Sequence, residues 1–161
     1  MGTGAGVGTA TFQLIAIFPG EPRPLNLCRS HHLLGEVYRS KGETEKAIDH
    51  FKTALDIASP FNWNYEKSQN HSSLAQIYSS QSRFDDAHDH IKQAKLHSIN
   101  DPYLLGCATE LQAVSWCREG RYEEAKAECL GAIEDFGNLG HVKRVRRCRK
   151  LLGDIEERMK P

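Results

Sequence analysis

The residues with which this chain could do chemistry are its eight histidines, its five cysteines and a dense basic run near the C-terminus. The segment that most resembles a metal site is Asp85-Asp86-Ala87-His88-Asp89-His90. On a helix, residues two apart point to different faces, so His88 and His90 cannot grip one ion. Asp86 and His90, four apart, could share a weak site, but no third ligand stands nearby. His31 and His71 are 40 residues apart, as are His50 and His90, and recurrence at a fixed spacing favours packing over ligation. The cysteines, at 28, 107, 117, 129 and 148, form no Cys-x-x-Cys pair. They fit neither a disulfide framework nor a zinc ribbon, and reduced thiols are the simplest account. No nucleophile elbow, zincin helix or kinase signature occurs. The glycines of MGTGAGVGTA are not followed by Gly-Lys-Ser/Thr, so neither a phosphate-binding lysine nor a magnesium-binding hydroxyl is supplied. Gly6 stands where an N-myristoylation signal has Ser or Thr. A non-enzymatic chain without cofactor or metal is expected.

The basic run is His141 to Lys150, HVKRVRRCRK. It could bind nucleic acid or an anionic surface, or serve as a nuclear-import signal. Against this, Glu134 and Asp135 precede it and Asp154, Glu156 and Glu157 follow it. A solvated, partly self-paired helix is the favoured reading. Over the whole chain 21 basic residues balance 21 acidic ones, so no global field draws nucleic acid or membrane. Phe12 to Phe18, FQLIAIF, is the longest apolar run, far short of the ~20 residues of a membrane helix. No charge precedes Phe12, so a signal peptide would lack its basic start. A cytoplasmic protein without membrane insertion is expected.

What must position these groups is a repeat. Tyr38 is followed at offsets 4, 9, 13 and 16 by Gly42, Ala47, Phe51 and Ala54. From Tyr78 the same offsets give Ser82, Ala87, Ile91 and Ala94; from Trp116 they give Gly120, Ala125, Cys129 and Ala132. The anchors lie 40 and 38 residues apart, the period of a repeat array. The aromatic closes a first helix, the small residue permits a tight turn, and the alanines let a second helix approach closely. Helices are expected over residues 25–40, 43–58, 63–80, 84–97, 102–119, 122–136 and 141–160. Asn100-Asp101-Pro102 is a helix start signal. Gly153 falls in register with Ala113, so the last helix reads as the first half of a fourth unit, charged enough to cap the array. Residues 1–24 form a flexible or partly ordered segment. Their apolar stretch is either the last turns of a preceding repeat or an irregular cap, cut off by Pro19, Pro22 and Pro24.

The segment LGEVYRSKGETEKAIDHFKTAL closely resembles the tetratricopeptide repeat (TPR), with a spacing like that of the longer variety in kinesin light chains. RSKGETEKAIDHF, SSQSRFDDAHDHIKQAK and EGRYEEAKAECL are similar to the C-terminal arrays of fungal NACHT or NB-ARC signalling ATPases. The resemblance implies an all-α, right-handed α-solenoid of antiparallel helix pairs over 25–161. Its units are about 25–60, 61–100 and 101–138, with a capping helix at 139–160. It also implies that first helices line a concave groove. Counting offsets from each aromatic places Arg29, His32, Glu36 and Arg39 there from the first unit. The second unit adds Gln69, Ser72, Gln76 and Ser79; the third adds Glu110, Val114 and Arg118. Register on the last helix adds Arg147 and Lys150. The family's chaperone-binding members hold a terminal carboxylate with lysines, asparagines and an arginine. His32, Glu36, Gln76, Glu110 and Val114 occupy the matching places, and two acids there would repel a carboxylate. The expected function is a scaffold or sensor that binds a protein or peptide partner in the groove. The alternative is nucleic-acid or anionic-surface binding through the basic last helix. Self-association could use an uncapped N-terminal end.

Overall fold

The computed structural model describes residues 23–160. Among the described residues seven helices follow one another: α1 (Arg23–Ser40), α2 (Thr44–Ala58), α3 (Asn64–Ser80), α4 (Phe84–His97), α5 (Pro102–Glu119), α6 (Tyr122–Asn138) and α7 (Val142–Arg158). Links of two to five residues join them, which makes sequential helices antiparallel neighbours. Each helix packs on the next, and α1–α3, α3–α5 and α5–α7 also touch directly. The result is a layered, all-helical solenoid. α1 starts before the expected residue 25, with Pro24 inside its first turn, where a missing N–H breaks no helical bond. α6 runs two residues past Phe136. The expectations for residues 1–22 lie outside the described residues.

One turn geometry recurs at four of the six helix links, those after α1, α3, α5 and α6. Gly42 (φ 77°), Ser82 (φ 59°), Gly120 (φ 88°) and Gly140 (φ 71°) adopt left-handed backbone. The next N–H then reaches back to the carbonyl of Tyr38, Tyr78, Trp116 or Phe136, at 2.9 Å each time, satisfying an otherwise orphaned helix-end acceptor. Beside the turn a cation covers each anchor aromatic: Lys46 over Tyr38, Arg83 over Tyr78 and Arg121 over Trp116. Each cation also pairs with an acid three residues away, Glu43, Asp86 or Glu124. The first unit swaps the order of acid and base, yet the cation still lands on the ring.

The core is tuned by paired sizes. Phe51, Ile91 and Cys129 sit at one register position and are fully buried. Opposite them stand Gly35, Ala75 and Ala113, so the largest knob meets the smallest hole. A Cβ at Gly35 would lie 2.6–2.8 Å from three Phe51 ring carbons. A second register pair behaves alike: Cys28 with Ala58, Ser68 with Ser98 and Gly106 with Phe136. The serines share a buried 2.6 Å hydrogen bond, and a Cβ at Gly106 would lie 3.1 Å from Phe136. α5 opens as expected, with the Asp101 carboxylate accepting from the Leu104 N–H at 3.0 Å. α7 joins the stack through Cys148 and Ile155, packed among Ala125, Cys129, Ala132 and Phe136. Gly153 is exposed, unlike its register mates, because no helix among the described residues packs against it. At the other end, Leu33 and Val37 are 37% and 46% exposed, whereas their equivalents Ser73, Ile77, Leu111 and Ser115 are buried.

Candidate ligand-binding groove

Because α1, α3, α5 and α7 touch in sequence, their inward side chains line one surface. That surface holds a groove of about 530 Å³. Arg39 of α1 stands at one end, and Arg144 and Arg147 of α7 at the other. Gln69, Ser72 and Gln76 of α3 form a polar middle, with Glu110, Val114 and Arg118 of α5 beside them. A smaller hollow of about 200 Å³ lies between α1 and α3 and takes in Arg29, His32 and Gln69.

Polar bonds tie the first helices together along this surface. Arg29 donates to the nearly buried Glu66 from Nε and Nη2, at 3.0 and 2.9 Å. His32 Nδ1 meets Asn70 Oδ1 at 3.1 Å. Ser73 donates to Glu36 Oε1 at 3.0 Å, while the other Glu36 oxygen holds Arg39. At the far end Glu110 is 3% exposed. Its two oxygens take Arg144 Nη1 at 2.9 Å and Arg147 Nε at 2.7 Å. Arg118 is exposed and makes no ion pair among the described residues. In these pairs the arginine is partly exposed while Glu66 and Glu110 are buried, and such pairs add little net stability.

Eight of the thirteen expected groove residues line the main groove, and Arg29 and His32 line the smaller hollow beside it. Glu36 lines neither but orients Arg39. Two expectations are corrected. Ser79 is 2% exposed and its hydroxyl has no partner. Its register position sits under the rim, from which a long arginine such as Arg39 reaches out and a serine does not. Lys150 is exposed and lines neither hollow. α7 packs mainly on α6, and only its early residues Arg144 and Arg147 bond to α5. Conversely, Tyr103 and Arg144 line the groove and were not foreseen. Both lie one helical turn before the earliest offset counted, so extending the register by a turn finds them.

The histidines and cysteines take structural places. His88 accepts from Gln112 at 2.7 Å and bonds Glu119 at 2.8 Å, while His90 faces His71. Asp86 is held by Arg83. The Nδ1 atoms of His31 and His50 are 2.9 Å apart, and those of His71 and His90 are 2.8 Å apart. His50 stacks on Tyr38 and His90 on Tyr78. Each pair needs one N–H and one bare nitrogen, so at least one ring of each pair is neutral. Burial lowers the pKa of all four, that of His71 to about 4. All five cysteines are free thiols. Burial pushes Cys28 and Cys129 up to about 11 and Cys148 to about 12, while Cys107, in the groove, is also raised. A thiol held protonated is a poor nucleophile. No group of three or more metal-ligating side chains occurs among the described residues, nor any helix long and apolar enough to cross a membrane.

Residues 26–95, spanning α1 to most of α4, match the family model described as Tetratricopeptide repeat. No curated protein matches the chain. The register of anchor, turn and paired core sizes continues unbroken through α5 and α6, beyond the matched segment.

Proposed function

With residues 26–95 forming a tetratricopeptide repeat domain as the premise, we propose that this chain is an interaction scaffold or sensor module whose groove holds an extended segment of a partner protein. Such repeats generally mediate protein–protein interaction. The observation that carries the reading is the single groove drawn from four first-position helices, with a floor of amide and hydroxyl side chains between arginines. Gln69, Ser72 and Gln76 can bond a peptide backbone, which an extended ligand presents along its whole length. Arg39 and Arg118 suit carboxylate or carbonyl groups at its flanks. Five free thiols fit a reducing, cytoplasmic setting.

A second reading keeps one specific observation. Lys143, Arg146, Arg149 and Lys150 are exposed on α7 outside the groove, and none forms an ion pair among the described residues. A polyanion could bind there. The test compares Arg39→Ala/Arg118→Ala with Arg146→Ala/Arg149→Ala for capture of a partner from the source cell, at low and moderate salt. The groove variant should lose the partner at both salts. Loss confined to the α7 variant, with retention falling steeply as salt rises, would replace the groove reading with the polyanion one.

A further inference from the structure

We propose that the α5–α7 end of the groove is an oxyanion subsite, which receives an acidic side chain of the bound peptide as carboxylate or phosphate ester. This rests on the peptide-groove reading above and names what the peptide must carry.

Glu110 is the only carboxylate that lines the groove among the described residues, against four arginines. It is buried, and its two oxygens are divided between Arg144 and Arg147. One negative charge therefore orders two guanidiniums and neutralises only one. Arg144 is held further by the Tyr103 hydroxyl at 3.1 Å and lies over the Tyr103 and Phe136 rings. Arg147 engages Glu110 through Nε and keeps its side chain 68% exposed. Arg147 thus lines the groove with one contact to Glu110 and the rest of its guanidinium open to a ligand. Arg118, on the same wall, has no ion pair, whereas Arg39 at the opposite end is matched by Glu36. The uncompensated charge is accordingly concentrated at one end. Guanidiniums are weakly hydrated and match the planar spacing of carboxylate and phosphate oxygens. Contact with a buried acid lowers the side-chain entropy that an arginine loses on binding.

The experiment selects binders to the wild-type protein from a displayed library of random 12-residue peptides. Arg118→Gln/Arg147→Gln removes the subsite and leaves the Arg144–Glu110 pair, Ser72→Trp blocks the groove middle, and Arg146→Gln/Arg149→Gln is the outer-face control. Circular dichroism checks that each folds. Selected peptides should be enriched in Asp or Glu at a fixed position. They should bind the subsite variant at least tenfold more weakly and the outer-face control unchanged. Synthetic peptides with glutamate or phosphoserine at that position then tell the two acid sources apart. Peptides without acid enrichment, or insensitive to Arg118→Gln/Arg147→Gln yet excluded by Ser72→Trp, overturn the subsite and leave the groove reading standing. Peptides that bind Ser72→Trp as well as wild type, or a library without binders, overturn the groove reading and the subsite together. Equal weakening by the outer-face control overturns the subsite in favour of a diffuse cationic surface.

Discussion

Gly35 is where the paired-size rule of the core can be measured. Replacing it with alanine puts a methyl carbon 2.6–2.8 Å from three ring carbons of Phe51. That ring is fully buried and cannot swing aside. Overpacking of a tight core costs roughly 1–3 kcal/mol, and a rigid aromatic neighbour argues for the upper part of that range. Alanine in place of a helical glycine returns about 1 kcal/mol, leaving a net loss of about 1–2 kcal/mol. For a chain of this size that lowers the midpoint by roughly 2–8 °C. Phe51→Ile alone removes three side-chain carbons, worth about 2 kcal/mol at ~0.8 kcal/mol per carbon. The double variant installs the alanine and isoleucine that the second unit already uses at Ala75 and Ile91. The methyl then fills the space the ring vacates, so the double loss should fall short of the sum by at least about 1 kcal/mol. Urea unfolding of the four proteins, read by midpoint and slope, gives that coupling. Additivity within about 0.5 kcal/mol would mean the two positions do not share one volume, and the rule would fail.

Three other outcomes follow from the same geometry. Ser82 holds a left-handed φ of 59° where the other three turns of this kind have glycine; Ser82→Gly should raise stability by up to about 1 kcal/mol in thermal unfolding, and a loss would refute the strain. His31, His50, His71, His90 and His97 have pKa values lowered by burial, so below the ordinary value of about 6.5 the unfolded chain binds protons that the fold refuses. Their contribution is intact above that pH and is lost as pH falls from 6.5 toward the value of about 4 for His71. The decline is at most about 1.4 kcal/mol per pH unit for each histidine; His71→Gln/His90→Gln should flatten it between pH 6.5 and 5, and an unaltered slope would count against the pairing. With a bulky thiol reagent, half-buried Cys107 should react in the native protein while Cys28, Cys129 and Cys148 wait for denaturation, and rapid native labelling of Cys129 would place it outside the core.

Fold class, hairpin positions and most of the groove were legible in the sequence, because a repeat writes the same local constraint three times. The offsets from Tyr38, Tyr78 and Trp116 locate the turns, since only a small or glycine-like residue tolerates the left-handed step. Helical periodicity then determines which side chains face inward. Charge placement was legible only in part. The run from His141 to Lys150 is uniform along the chain, but α7 splits it by face, turning Arg144 and Arg147 to Glu110 and leaving Arg146, Arg149 and Lys150 in solvent. Which of several equivalent cations meets a buried acid depends on how α7 settles against α5 and α6, a matter of packing across 34 or more residues of chain. Ser79 shows the same limit on a smaller scale: register supplies the direction of a side chain, but its length against the neighbouring helix decides whether it reaches the groove. The pairing of Gly35 with Phe51 and of Gly106 with Phe136 likewise belongs to tertiary structure. Each residue alone satisfies its own helix pattern, and only the shared volume between two helices makes the size of one dictate the size of the other.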